Sequence, residues 1–117
     1  MAEQSFEGGW MFWRSDTSEI YALPLTQRSG RFDDTWDESQ PVYSCPELAP
    51  SQTPPAPQRG FGLVWCNEPL IREGLGDAAS LENLFEATIQ EFDSGVIFET
   101  DQGGAYILTF GASLKKS

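Results

Sequence analysis

The chain has 117 residues, 39% hydrophobic and 13% aromatic, enough bulky apolar surface for one domain with its own core and too little chain for two. Its 18 acidic residues against 7 basic ones give a net charge of -11, which repels nucleic-acid phosphates and anionic lipid surfaces and leaves neutral sugars, cations and basic surfaces as partners. There is no histidine, so neither a Ser-His or Cys-His pair nor an ordinary zinc site can be assembled, and catalysis would have to rest on carboxylates, Tyr or Lys.

In chain order, Phe6-Glu7-Gly8-Gly9-Trp10-Met11-Phe12-Trp13, a polar stretch, and Ile20-Tyr21-Ala22-Leu23 before Pro24 predict two strands joined by a turn. In a strand Met11 and Trp13 point to one face and Trp10 and Phe12 to the other. Both faces are apolar, so this strand is either buried on both sides or offers an aromatic face to a partner. Phe32 and Trp36 follow, four apart and framed by acids, in a third short strand or a structured turn. The acids Asp33, Asp34, Asp37 and Glu38 lack the alternation and mid-loop glycine of a calcium loop and read as a solvated acidic face.

Residues 41–57 hold Pro41, Pro46, Pro50, Pro54, Pro55 and Pro57, which excludes an interior strand or helix and predicts an extended loop across the surface. This proline-rich loop divides a hairpin half, residues 6–38, from a second half, residues 59–110, within one domain spanning 1–117. Cys45 and Cys66 either form a disulfide over the loop or remain free thiols, as the redox compartment decides.

In the second half, Arg59-Gly60-Phe61-Gly62-Leu63-Val64-Trp65 suggests a short strand or turn. Asn67-Glu68-Pro69 opens a helix carrying Leu70 and Ile71 and ended by Gly74, and Ser80-Leu81-Glu82 starts a further helical turn. Residues 84–92 are expected as a strand leading into a hairpin over residues 95–108. This end of the chain repeats the beginning. Phe6 matches Phe92, Gly9 matches Gly95, Met11 matches Ile97 and Phe12 matches Phe98; with one residue of slippage in the turn, Tyr21 meets Tyr106 and Leu23 meets Leu108. The expected fold is mainly β, a small antiparallel domain built from two similar hairpins plus one or two short helices.

Ile71, Leu75-Gly76-x-Ala78-x-Ser80-x-Glu82, Gln90-x-Phe92-x-x-Gly95-x-Ile97-Phe98 and Gly104-Ala105-Tyr106-x-Leu108 together resemble the LGFP repeat, a short module of bacterial cell-wall proteins, most clearly over residues 71–108. The first half carries only the hairpin part, and Asp77 and Ala78 replace the phenylalanine and proline expected after Leu75-Gly76, so the chain is similar to a divergent relative. The resemblance implies a noncatalytic module associated with the cell envelope, with wall glycan or another protein domain as partner.

Trp10, Trp13, Trp36 and Trp65 are many tryptophans for such a chain, and indole faces stack on sugar rings while nearby carboxylates bind hydroxyls. The candidate ligand-binding residues are Trp13, Arg14, Asp16, Asp33, Asp34 and Trp36, set against the alternative that the tryptophans are core. The alternative function is a structural subunit of a homo-oligomer or filament. No motif singles out a catalytic carboxylate pair; Asp33 with Asp37 and Glu91 with Glu99 are the nearest candidates, and no enzyme activity, cofactor, metal, nucleic-acid partner or membrane insertion is expected. Met1-Ala2-Glu3-Gln4-Ser5 has neither the basic start nor the apolar run of an export signal. The expected location is therefore extracellular or cell-envelope if the chain belongs to a longer exported protein, and cytoplasmic if it is complete.

Overall fold

The computed structural model describes residues 1–26, 29–45, 48, 56–93, 95–100 and 104–109. It is mainly β. Strands β1 (Ala2–Phe6), β2 (Gly9–Arg14), β3 (Glu19–Pro24) and β4 (Gly30–Asp33) are followed by helices α1 (Arg59–Asn67) and α2 (Pro69–Leu75). Strands β5 (Asn83–Leu84), β6 (Ala87–Phe92), β7 (Gly95–Thr100) and β8 (Ala105–Thr109) complete the order. Two antiparallel sheets result, one of five strands ordered β4-β3-β2-β1-β5 and one of three ordered β6-β7-β8.

The alternation read from β2 places its two faces in two different cores. Met11 packs with Phe6, Ile20, Ala22, Phe61, Val64, Trp65, Ile71 and Leu75 on the helical side. Phe12 packs with Tyr21, Val96 and Phe98 on the side of the smaller sheet. The larger sheet is thus the middle of three layers, helices on one face and β6–β8 on the other. Each fully buried aromatic contributes about 1.5–3 kcal/mol of transfer free energy, so a strand apolar on both faces is a strong organiser of both cores.

The repeat seen in the sequence is a repeat of three-stranded meanders. Phe6 pairs with Gly9 and Gln4 with Met11 in the first; Phe92 pairs with Gly95 and Gln90 with Ile97 in the second. Phe12 pairs with Tyr21, and Phe98 with Tyr106. The packing between the meanders is reciprocal: Phe12 lies 4.8 Å from Tyr106, Tyr21 lies 5.4 Å from Phe98, and the equivalent rings Phe12 and Phe98 meet at 5.5 Å. Contacts exchanged between equivalent positions are the mark of a local two-fold relation, as in an isologous dimer.

Several expectations need correction. Residues 59–65 form a helix, not a strand or turn, because Phe61, Val64 and Trp65 sit at the i, i+3, i+4 spacing that buries one helical face. Helix α2 begins at Pro69 with Glu68 as its cap, within the expected Asn67-Glu68-Pro69, but ends at Gly76, φ 69°, whose N–H donates to Arg72 O at 3.0 Å, rather than at Gly74. Asn67 instead donates to Leu63 O. Ser80-Leu81-Glu82 forms no helical turn; a bend at Ser80 leads into β5, tied to the meander by Gln4 Nε2 donating to Ser80 O at 2.9 Å. The stretch from Phe6 is broken by a turn at Glu7-Gly8, and β1 precedes it. Helix α2 docks on that turn: Gly8 N–H donates to Leu75 O at 2.7 Å, and a Cβ at Gly8 would lie 2.1 Å from Gly74 O.

Of the proline-rich loop, Pro46, Pro50, Pro54 and Pro55 lie outside the described residues. Its described part is not wholly on the surface, since Leu48 and Ala56 are buried in the helical core. Cys45 and Cys66 form a disulfide with Cα atoms 6.0 Å apart, tying this loop to α1. Closing a loop of this length restrains the unfolded chain by about 3 kcal/mol in the loop-entropy model.

Candidate functional site

The site grows from Trp13, the last residue of β2 facing the helical side. Its indole N–H donates to Asp34 Oδ2 at 3.0 Å. Asp34 follows β4 and is held by its own N–H to Ser18 O; its Oδ1 accepts the backbone N–H of Trp36 at 3.1 Å, a carboxylate-stabilised turn. The Trp36 indole N–H in turn reaches Pro41 O at 2.9 Å. One carboxylate therefore sets the positions of two tryptophans.

Helix α1 closes the site from the other side. Gly60 lets it approach, because a Cβ there would lie 2.5 Å from Asp34 Oδ1 and 2.7 Å from Ile20 Cδ1. Arg59 takes φ 52°, a left-handed conformation costly for a non-glycine residue, and its N–H donates to Val42 O at 2.8 Å. Its guanidinium stands 5.7 Å from the centre of the Trp36 ring.

Between these elements lies a cleft of about 240 Å³ with an apolar floor that includes Ala2, Ile20 and Phe61 and a wall of Trp13, Trp36 and Asp34. Gln58, Arg59 and Glu82 line it and also an adjoining cleft of about 260 Å³ that reaches Gln4 and Leu81. Glu82 is exposed as a residue, yet its carboxyl is crowded enough that desolvation raises it above the ordinary carboxylate value, with Arg59 opposing the rise. Gln4, 2% exposed, carries the one buried side-chain acceptor without a partner among the described residues, Oε1. A buried acceptor of this kind costs about 1–3 kcal/mol unless a donor reaches it. The pair of clefts thus offers the rings of Trp13 and Trp36, the Arg59 guanidinium and the carboxylates of Asp34 and Glu82, groups able to contact a polyhydroxylated ring compound.

Of the residues read as candidate binders, Trp13, Asp34 and Trp36 converge here. Arg14 and Asp16 do not, because Arg14 follows Trp13 in the strand and points to the opposite face. Buried Arg14 binds Asp16 Oδ1 at 2.7 Å, Glu91 Oε1 at 3.2 Å and Tyr21 Oη at 3.3 Å. Arg31 bridges Glu91 at 2.6 Å and Glu19 at 2.8 Å, so these charges fasten the two sheets together. Arg14 holds the Asp16 carboxyl below its ordinary value, and Arg31 does the same for Glu19. Asp33 is exposed and lines a separate hollow with Phe32 and Thr35.

The other tryptophans are structural: Trp65 is buried and donates to Gly76 O, and Trp10 stacks at an angle on Tyr106. Glu91 and Glu99 project from opposite faces of β6–β7, and Asp37 bonds Ser39 within its own turn. Among the described residues no group of three His, Cys, Asp or Glu is placed to hold a metal ion. Sequence reasoning missed Gln58, Arg59 and Gly60, which the helical spacing of Phe61, Val64 and Trp65 would have placed at a helix start, and Gln4 and Glu82, for which no local signal exists. Comparison with protein-family models, curated proteins and solved structures finds no match, so the likeness to the LGFP repeat rests on the residues quoted above.

Proposed function

We propose that this domain is a noncatalytic binding module of the cell envelope or extracellular space that takes a saccharide in the cleft between Trp13, Trp36 and Arg59. The observation that carries the reading is the bidentate use of Asp34, which fixes Trp13 by its indole and Trp36 by its backbone beside an open, largely apolar cleft. Preorganised aromatic walls lower the ordering cost of binding, the reason rigid platforms suit weakly hydrophobic sugar rings. The backbone strain at Arg59 supports a site rather than a packing defect. The disulfide accords with an oxidising compartment.

The test is tryptophan fluorescence titration with three probes, purified peptidoglycan fragments, chitin oligosaccharides and a neutral glucan oligomer. At least one is expected to shift the emission, with affinity falling at least about tenfold in Trp36→Ala, a loss of about 1.4 kcal/mol, and in Arg59→Ala. No shift with any of the three, or binding that survives both substitutions, would contradict the proposal; so would cleavage of the bound oligomer.

A further inference from the structure

The two meanders share a register but not a covering. On the first, Phe6, Met11, Ile20 and Ala22 face α1 and α2 and are buried. The register places Phe92, Ile97, Ala105 and Ile107 at the same four positions of the second, with Gln90 in the place of Gln4. Phe92 is 57% and Ile107 69% exposed. An apolar face whose duplicate is covered carries a record of what covers it.

Charge at the corner of this face points the same way. On the first meander, Ala2 and Trp13 line one cleft together with Arg59. Thr88 and Glu99 occupy those positions on the second, where they line a hollow of about 180 Å³ with Glu86. Two carboxylates therefore stand where the first residue of a covering helix of the α1 type would bring an arginine. We propose that the outer face of β6–β8, built on Phe92, Ile97 and Ile107 with Glu99 at its corner, is the docking surface for a further helix pair of the α1–α2 kind, as in a repeat array whose neighbouring units cover one another. This surface lies outside the saccharide cleft and does not depend on it.

The test extends the full chain after Ser117 with a second copy of residues 33–82, which keeps the spacing from the end of β8 to the copied Arg59 equal to that from the end of β3 to Arg59. Amide hydrogen exchange in β7 and β8 is expected to slow at least about tenfold relative to the unextended chain, with β2 and β3 unchanged. Ile107→Asp, at an exposed position, is expected to abolish the slowing without altering β2 and β3, and Glu99→Lys to weaken it. Unchanged exchange in β7 and β8, or slowing that survives Ile107→Asp, would overturn the proposal. Light scattering of the unextended chain supplies the remaining arm: a dimer that Ile107→Asp disperses would give the face to a second copy and overturn the helix pair as its occupant.

Discussion

The meanders β1–β3 and β6–β8 pair their strands alike and place the same ring types at their shared centre, yet they have different fates on their outer faces. The first carries two helices, a disulfide-tied loop and, at the corner where Trp13 meets α1, the cleft. The second carries none of these among the described residues, and at the Trp13 position it has Glu99. The meander is thus a scaffold used twice, and the cleft forms where a covering element leaves a seam against it. Without α1 there would be no Arg59 or Gly60 to form the wall opposite Trp13 and Asp34.

The largest effect is expected at the shared centre, where equivalence is closest. Phe12→Ala and Phe98→Ala each remove a fully buried ring that meets the other meander, and each is expected to cost about 3–5 kcal/mol in urea denaturation. Unequal costs would mean that one meander supports the core more than the other. Replacing Cys45 and Cys66 by Ser is expected to cost about 3 kcal/mol. The loss should concentrate in the covered meander, with amide exchange accelerated in α1 and β2 before β7.

A smaller effect separates the charged seam between the sheets from both cores. Asp16 and Glu19 titrate lower in the folded chain than in the unfolded one, because Arg14 and Arg31 favour their ionised forms. The unfolded chain therefore binds more protons in the intervening window, and the stabilisation, complete above the unfolded values of about 4, is lost as pH falls through the folded ones. The urea midpoint is expected to drop below about pH 4, and to drop less in Arg31→Met, which leaves Glu19 without its main partner.

What the chain disclosed in advance follows from how local each signal is. The repeated Phe-acid-x-Gly and the alternation of Trp10, Met11, Phe12 and Trp13 are contiguous, so the duplicated strands were legible and the two apolar faces of β2 were evident, though not whether both would be buried within the chain. Helix α1 was not, because Gly60 and Gly62, poor helix formers at about 1 kcal/mol each against Ala, are present for close packing rather than for propensity. Strand β1 was hidden by Gln4, a polar side chain at a core position. In the site, Trp13, Asp34 and Trp36 were legible as aromatic residues among acids. Arg14 and Asp16 were misplaced because adjacent strand residues face opposite ways, and Gln4 and Glu82 come from segments brought together only by the fold.

The most direct test of the account is the pair Phe6→Ala and Phe92→Ala, the same residue at the same register position of the two meanders, one buried under the helices and one 57% exposed. Urea denaturation of the two variants is expected to give a loss of about 3–5 kcal/mol for Phe6→Ala and under about 1 kcal/mol for Phe92→Ala. Equal losses would contradict the claim that the meanders differ in what covers them.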